Sequence, residues 1–210
     1  MTFLKKVRGR LRRAKPESLR DIYVRQVEAA VQAAELANEV CSKEVEPAKS
    51  RRPMKSLRHE AHDARGELIS SMAAAVTVPL EREDLFRASQ SIETVTSDLR
   101  DLVREMTWWE LEGGSWSKNA LQPAIDALQE IALGIEVPDA QEVEAHFRQA
   151  KKHASDLRRA YQRGLTAIFS DDLTMDTLKK REILRRIDFI GLHLHDAADA
   201  MLTGMIKRYM

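Results

Sequence analysis

Residues 82–112 read REDLFRASQSIETVTSDLRDLVREMTWWELE, and this stretch decides the fold. Leu85, Ala88, Ile92, Val95, Leu99, Leu102, Met106 and Trp109 recur at steps of three and four, which is the spacing of one apolar face on a long helix. At its start Glu83 and Asp84 suit the positive end of a helix dipole, with Arg82 beside them. A second stripe near the C-terminus repeats the pattern through Leu178, Ile187, Ile190, Leu194, Ala197 or Ala198, Met201 and Met205. Met and Trp in such stripes are expected in the core.

Working outward, turn residues divide the chain into six helical segments. Ser18 with Asp21 resembles a capping box, and the first helix is expected from there to about Glu46, closed by Pro47 and a polar loop over 49–53. The second runs from about Met54 to Val76, where Thr77-Val78-Pro79 breaks it. Gly113-Gly114-Ser115 ends the third and is the clearest break in the chain. A fourth helix covers about Lys118 to Glu136. After Val137-Pro138-Asp139 the fifth continues to Phe169, and Ser170-Asp171-Asp172 turns the chain into the sixth. Helices of about 25 to 30 residues are roughly 40 Å long, so short connections must lay them antiparallel. An all-α six-helix bundle follows.

With 210 residues the chain can bury a substantial core, and 32% charged against 5% aromatic residues favours long helices with solvated faces over strands. The one cysteine, Cys41, excludes an internal disulfide and a Cys-based zinc site; its apolar neighbours mark it as a small buried hydrophobe. No apolar run reaches the roughly 18 to 20 residues that span a bilayer, and no apolar segment follows the basic start as in a secretory signal. A cytoplasmic location is expected.

The net charge of +1 hides an asymmetry. Lys5, Lys6, Arg8, Arg10, Arg12, Arg13 and Lys15 precede Pro16 with no acid among them, leaving 27 bases against 33 acids in the rest. Residues 1–17 thus read as a basic arm, suited to an anionic membrane surface or a partner's acidic loops. Residues 18–210 form one helical domain with halves 18–112 and 116–210. No nucleic-acid motif accompanies the arm, the remainder is acidic, and the glycine patterns that cradle nucleotide phosphates are missing, so neither nucleic acid nor nucleotide is expected.

The halves resemble each other weakly. Setting Asp63 on Asp156 brings Val76 onto Phe169, and a slightly longer offset puts Glu93 on Asp188 and Val95 on Ile190, which suggests two three-helix units.

Chemistry-bearing residues are few. His59 and Asp63 stand one helical turn apart, as do His195 and Asp199; a helix pair uniting the four would offer two imidazoles and two carboxylates to Zn²⁺, Fe²⁺ or Mn²⁺, with Glu60 and Asp196 as neighbours. The competing reading is a hydrogen bond or ion pair along one helix face. His59-Glu60-x-x-Asp63 approaches the zincin pattern but lacks a third ligand downstream, which leaves Glu60 a poor candidate for the base of a hydrolase. No Glu-x-x-His occurs, so a ferritin-like di-iron site is excluded.

The order of segments also carries a resemblance. His59-Glu60-Ala61-His62-Asp63, Leu68-Ile69, and Thr77-Val78-Pro79-Leu80-Glu81-Arg82-Glu83-Asp84-Leu85 resemble the PhoU-related family of Pit accessory proteins, or phosphate-transport regulators. In the second half Asp156-Leu157-Arg158-Arg159, Leu165 to Phe169, and Lys180-Arg181-Glu182-Ile183-Leu184 through Asp196-Ala197-Ala198-Asp199 agree, so the likeness covers roughly Leu57 to Arg208. It implies a PhoU-like double bundle in the cytoplasm of a bacterium or archaeon, a regulator and not an enzyme, whose partner is the cytoplasmic face of a membrane phosphate transporter. A second copy of the chain is a further candidate partner. The family commonly carries Glu/Asp-x-x-x-Asp pairs, some holding iron or zinc clusters. Here His59 precedes Asp63, Lys152 precedes Asp156, Glu93 is followed by Ser97 and Asp188 by Leu192, so the resemblance does not carry a carboxylate cluster over.

Overall fold

The computed structural model describes residues 17–75, 82–170 and 172–209; the basic stretch of residues 1–16 and the Thr77-Val78-Pro79 break lie outside them. Among the described residues there are six helices and no strand: α1 Leu19–Cys41, α2 Pro47–Ala74, α3 Arg82–Trp108, α4 Gln122–Glu136, α5 Ala140–Ile168 and α6 Met175–Tyr209. The all-α six-helix expectation holds. None of these helices is long and apolar enough to cross a membrane.

Local chemistry explains most boundaries. Ser18 caps α1 reciprocally: its Oγ accepts from the Asp21 N–H at 3.2 Å, and Asp21 Oδ2 accepts from the Ser18 N–H at 3.1 Å. Asp139 caps α5 by accepting from the Gln141 and Glu142 amides. Thr174 and Thr177 exchange side-chain to backbone hydrogen bonds at the start of α6.

Three boundaries differ from expectation. The first helix ends at Cys41, five residues before Glu46, in a reversal where Lys43 takes φ 64° and the amides of residues 42–45 bond back to Asn38, Glu39 and Val40. Residues 49–53 are helical, because Pro47 begins α2 at its first position, where a missing N–H costs nothing. Pro53 consequently sits inside α2. The fourth helix starts at Gln122, later than Lys118, since residues 115–121 form turns that plug the end of α1. Gly114 N–H and Ser117 Oγ–H both donate to Cys41 O, and Leu121 N–H donates to Asn38 Oδ1. Gly113 is required there, because a Cβ would collide with the carbonyl oxygens of Val40 and Cys41.

Helix contacts define two layers. α2, α3, α6 and α5 lie side by side in that order, while α1 and α4 pack together behind them. α1, α2 and α3 contact one another, as do α4, α5 and α6, so the two three-helix units meet through the pairs α1–α4 and α3–α6. Both pairs are antiparallel. Leu121 meets Asn38 at one end of the first, and Arg20 donates to Glu136 O at the other. In the second, Lys179 donates to Trp109 O, and Lys207 reaches Asp84 at the opposite end.

One buried apolar cluster runs through both units, from Ile22, Val27 and Met54 through Ile92, Leu99 and Met106 to Leu128, Phe147, Ile187, Leu194 and Met201. The stripe that opened the reading supplies its α3 wall. With α1 and α4 covering the back of this layer, none of the described helices lies over the outward side of α3 and α6.

Candidate interaction face on helices α3 and α6

The expected metal set does not assemble. His59 and Asp63 sit on the solvent side of α2, Nε2 to Oδ2 3.7 Å, and pair only along their own helix, while Glu60 accepts a hydrogen bond from Ser56. His195, Asp196 and Asp199 belong to α6, and Asp199 accepts Lys151 Nζ of α5 at 2.5 Å. That hydrogen bond holds Asp199 below the usual carboxylate range. α3 lies between α2 and α6, which do not touch. Among the described residues no group of three or more His, Cys, Asp or Glu is placed to hold a metal ion.

On the open face the chain's own cations occupy the carboxylates. Glu93 of α3, 13% exposed, takes His62 Nδ1 at 2.5 Å and Arg65 NH1 at 3.3 Å, both from α2. Asp188 of α6, equally covered, takes Arg158 NH1 of α5 at 2.7 Å. Arg65 and Arg158 stand at the same offset as Asp63 and Asp156, and Glu93 and Asp188 are the second aligned pair, so the two halves repeat one guanidinium–carboxylate contact. A clustered cation would have to displace these partners, and the donor set does not fit a multinuclear centre.

Between the halves, Arg186 of α6 spans two carboxylates of α3. Its Nε and NH2 donate to Glu105 at 3.0 and 2.5 Å, and its NH1 donates to Asp98 Oδ1 at 3.1 Å. Burial works against the Arg186 charge, but Glu105 and Asp98 outweigh it and its pKa lies above the ordinary value. Desolvation raises Asp98, opposed by His193, whose Nε2 is 3.7 Å away, and by Arg186.

Toward the C-terminal end of α3 the seam becomes aromatic. Trp108 is 60% exposed with the Arg104 guanidinium 4.8 Å from its ring centre, and Arg185 lies 5.3 Å from the ring centre of the exposed Phe189. A half-open cavity of about 370 Å³ lies beside Arg185 and Phe189, lined also by Glu105, Trp109, Glu182 and Arg186.

No family model and no curated protein matches this sequence.

The face must therefore be judged on its chemistry. Cys41 is fully buried, and desolvation pushes its thiol up to about 12, so it stays protonated and unreactive at neutral pH. Trp108 and Phe189 are exposed, each with an arginine over its ring, and Phe189 lines the cavity. Sequence reasoning singled out Trp109 and passed over Trp108. The available signal was the Trp108-Trp109 pair itself, because consecutive helical residues diverge by roughly 100° and cannot both face one core.

Proposed function

We propose that this chain is a PhoU-like accessory protein of inorganic phosphate transport. It docks on the cytoplasmic face of a Pit-type membrane transporter and adjusts its activity or assembly, making and breaking no bond itself. The observation that carries this reading is the duplicated bundle: two three-helix units joined through α3 and α6, with Arg65–Glu93 in one half answered by Arg158–Asp188 in the other. That architecture agrees with the arrangement implied by the Leu57 to Arg208 resemblance. The paired carboxylates favour docking over ion storage, and the Trp108, Phe189 and cavity surface supplies anchors of the kind that dominate protein interfaces.

The test is capture of a detergent-solubilised Pit-type transporter on the immobilised protein. Specific retention is expected, weakened roughly tenfold or more when Trp108 and Phe189 are both replaced by Ala, since truncating a central aromatic anchor typically costs about 2 kcal/mol. Retention no greater than that of an unrelated transporter would overturn the reading.

A further inference from the structure

The solvent side of α6 is unlike that of an ordinary surface helix. Between Thr177 and Met205 its exposed residues are Leu178, Arg185, Phe189, Leu192 and Asp196. They follow one another at steps of seven, four, three and four, so they form a single row along the helix. A solvated face carries polar and charged residues. Here three of the five are large apolar groups, with Phe189 40% and Leu192 51% exposed at the centre. Met175 before the row and Ile206 beyond it continue the same line, and both are exposed.

The charges of α6 single out two members of this row. Asp176 pairs with Lys180, Glu182 with Arg181, Arg186 with Asp98 and Glu105, Asp188 with Arg158 and Asp199 with Lys151, while Lys179 donates to Trp109 O. Of the Asp, Glu, Lys and Arg residues from Asp176 to Asp199, Arg185 and Asp196 alone have no such partner among the described residues. The Arg185 guanidinium rests over the Phe189 ring instead. Eleven residues of helix hold Arg185 and Asp196 about 16 Å apart, too far for either to neutralise the other.

Opposite charges at equal distances from the middle of an apolar pair are what a two-fold axis matches with themselves. Phe189 and Leu192 are centred between residues 190 and 191, and so are Arg185 and Asp196, and Met175 and Ile206. An axis at that point, perpendicular to α6, lays a second copy antiparallel on the row. Phe189 then meets the partner's Leu192, Met175 meets the partner's Ile206, and Arg185 meets the partner's Asp196, each contact made twice. Glu182 falls opposite the partner's Asp199, where Arg181 and Lys151 already balance the two carboxylates.

We infer that the exposed row of α6 is a self-association surface on which a second copy of this chain packs antiparallel, joined by Phe189–Leu192 contacts and two Arg185–Asp196 ion pairs. This goes beyond the docking reading and needs no transporter. Phe189 serves both surfaces, so a chain in the dimer has that docking anchor covered.

Sedimentation equilibrium of the purified full chain over a concentration series, without lipid or transporter, tests it. A monomer–dimer equilibrium that weakens with salt is expected. Arg185→Asp and Asp196→Arg should each raise the dissociation constant roughly tenfold, because each sets like charges opposite one another twice. Combining Arg185→Asp with Asp196→Arg should bring it back near the parent value, since the two-fold axis restores both ion pairs, and no folding defect imitates that rescue. Leu192→Ser, at a position too exposed to hold the bundle together, should weaken the dimer roughly tenfold as well. A chain that stays monomeric throughout overturns the inference. So does a dimer that the single charge reversals leave unchanged or that the combined variant fails to restore. Transporter capture is a separate readout, so either reading can fail alone.

Discussion

Arg186 shows how a single side chain can set the geometry of the open face. It is only partly exposed and satisfies two carboxylates of the neighbouring unit at once, so removing it strands Asp98 and Glu105 in a poorly solvated seam. Arg186→Ala should cost about 1–3 kcal/mol in chemical denaturation, the range for leaving covered hydrogen-bonding groups without their partner. Asp98→Asn should cost distinctly less, because burial already disfavours the Asp98 charge and the amide oxygen can still accept from Arg186. Equal losses in the two variants would contradict that ordering. Cys41 gives a pH prediction of definite sign. Its thiol is raised by burial from 9.0 to about 12, so the unfolded chain releases this proton first as pH rises. The contribution of Cys41 to stability is therefore full below pH 9 and falls between pH 9 and 12. Cys41→Ala should flatten the alkaline fall in stability across that window, and in the native protein a thiol reagent at pH 8 should react no faster than global opening allows.

At the scale of elements, α2 holds the clearest departure from local preference. Pro53 lies exposed in its second turn, lacks the N–H that would bond one turn back, and crowds the carbonyl of Lys49. Pro53→Ala should raise stability by about 1–3 kcal/mol in thermal or urea unfolding; a loss would mean the ring is holding the α2 entry in place. The same proline explains a misreading. Pro47 and Pro53 bracketing Lys, Ser and Arg look like a loop, yet a proline can open a helix at its first position, and composition does not reveal which side of it the helix lies on. The late start of α4 was hidden for another reason: residues 115–121 are held by Cys41, Ser42 and Asn38, contacts some 80 residues away in sequence. Where stripes were long the elements were legible, as in α3 and α6, since burial of a whole face outweighs any local propensity. His59, Asp63, His195 and Asp199 mark the limit of such reading. Spacing of four places two groups on one helix face, but it does not say which helix stands opposite, and here α3 stands between. The repeated arginine pair was within reach, because aligning Asp63 with Asp156 also aligns Arg65 with Arg158.

For the whole molecule, the two three-helix units share one apolar core and are clamped across it by α1–α4 packing and by Arg186, so they should not unfold separately. Far-ultraviolet circular dichroism, which follows all six helices, and tryptophan fluorescence, which follows Trp108, Trp109 and Trp116 at the junction, should report one coincident transition. Two separated transitions would mean the units are independent modules. On the open face Glu93 and Asp188 are paired within the chain, and the proposed function depends on what that surface meets. The deciding measurement is saturation binding of the full chain to liposomes of one lipid composition, with and without a reconstituted Pit-type phosphate transporter. Saturable binding that rises with transporter content and is weakened by Trp108→Ala with Phe189→Ala is the predicted result. Binding that is the same with and without the transporter would contradict the proposed function, whatever the lipid itself contributes.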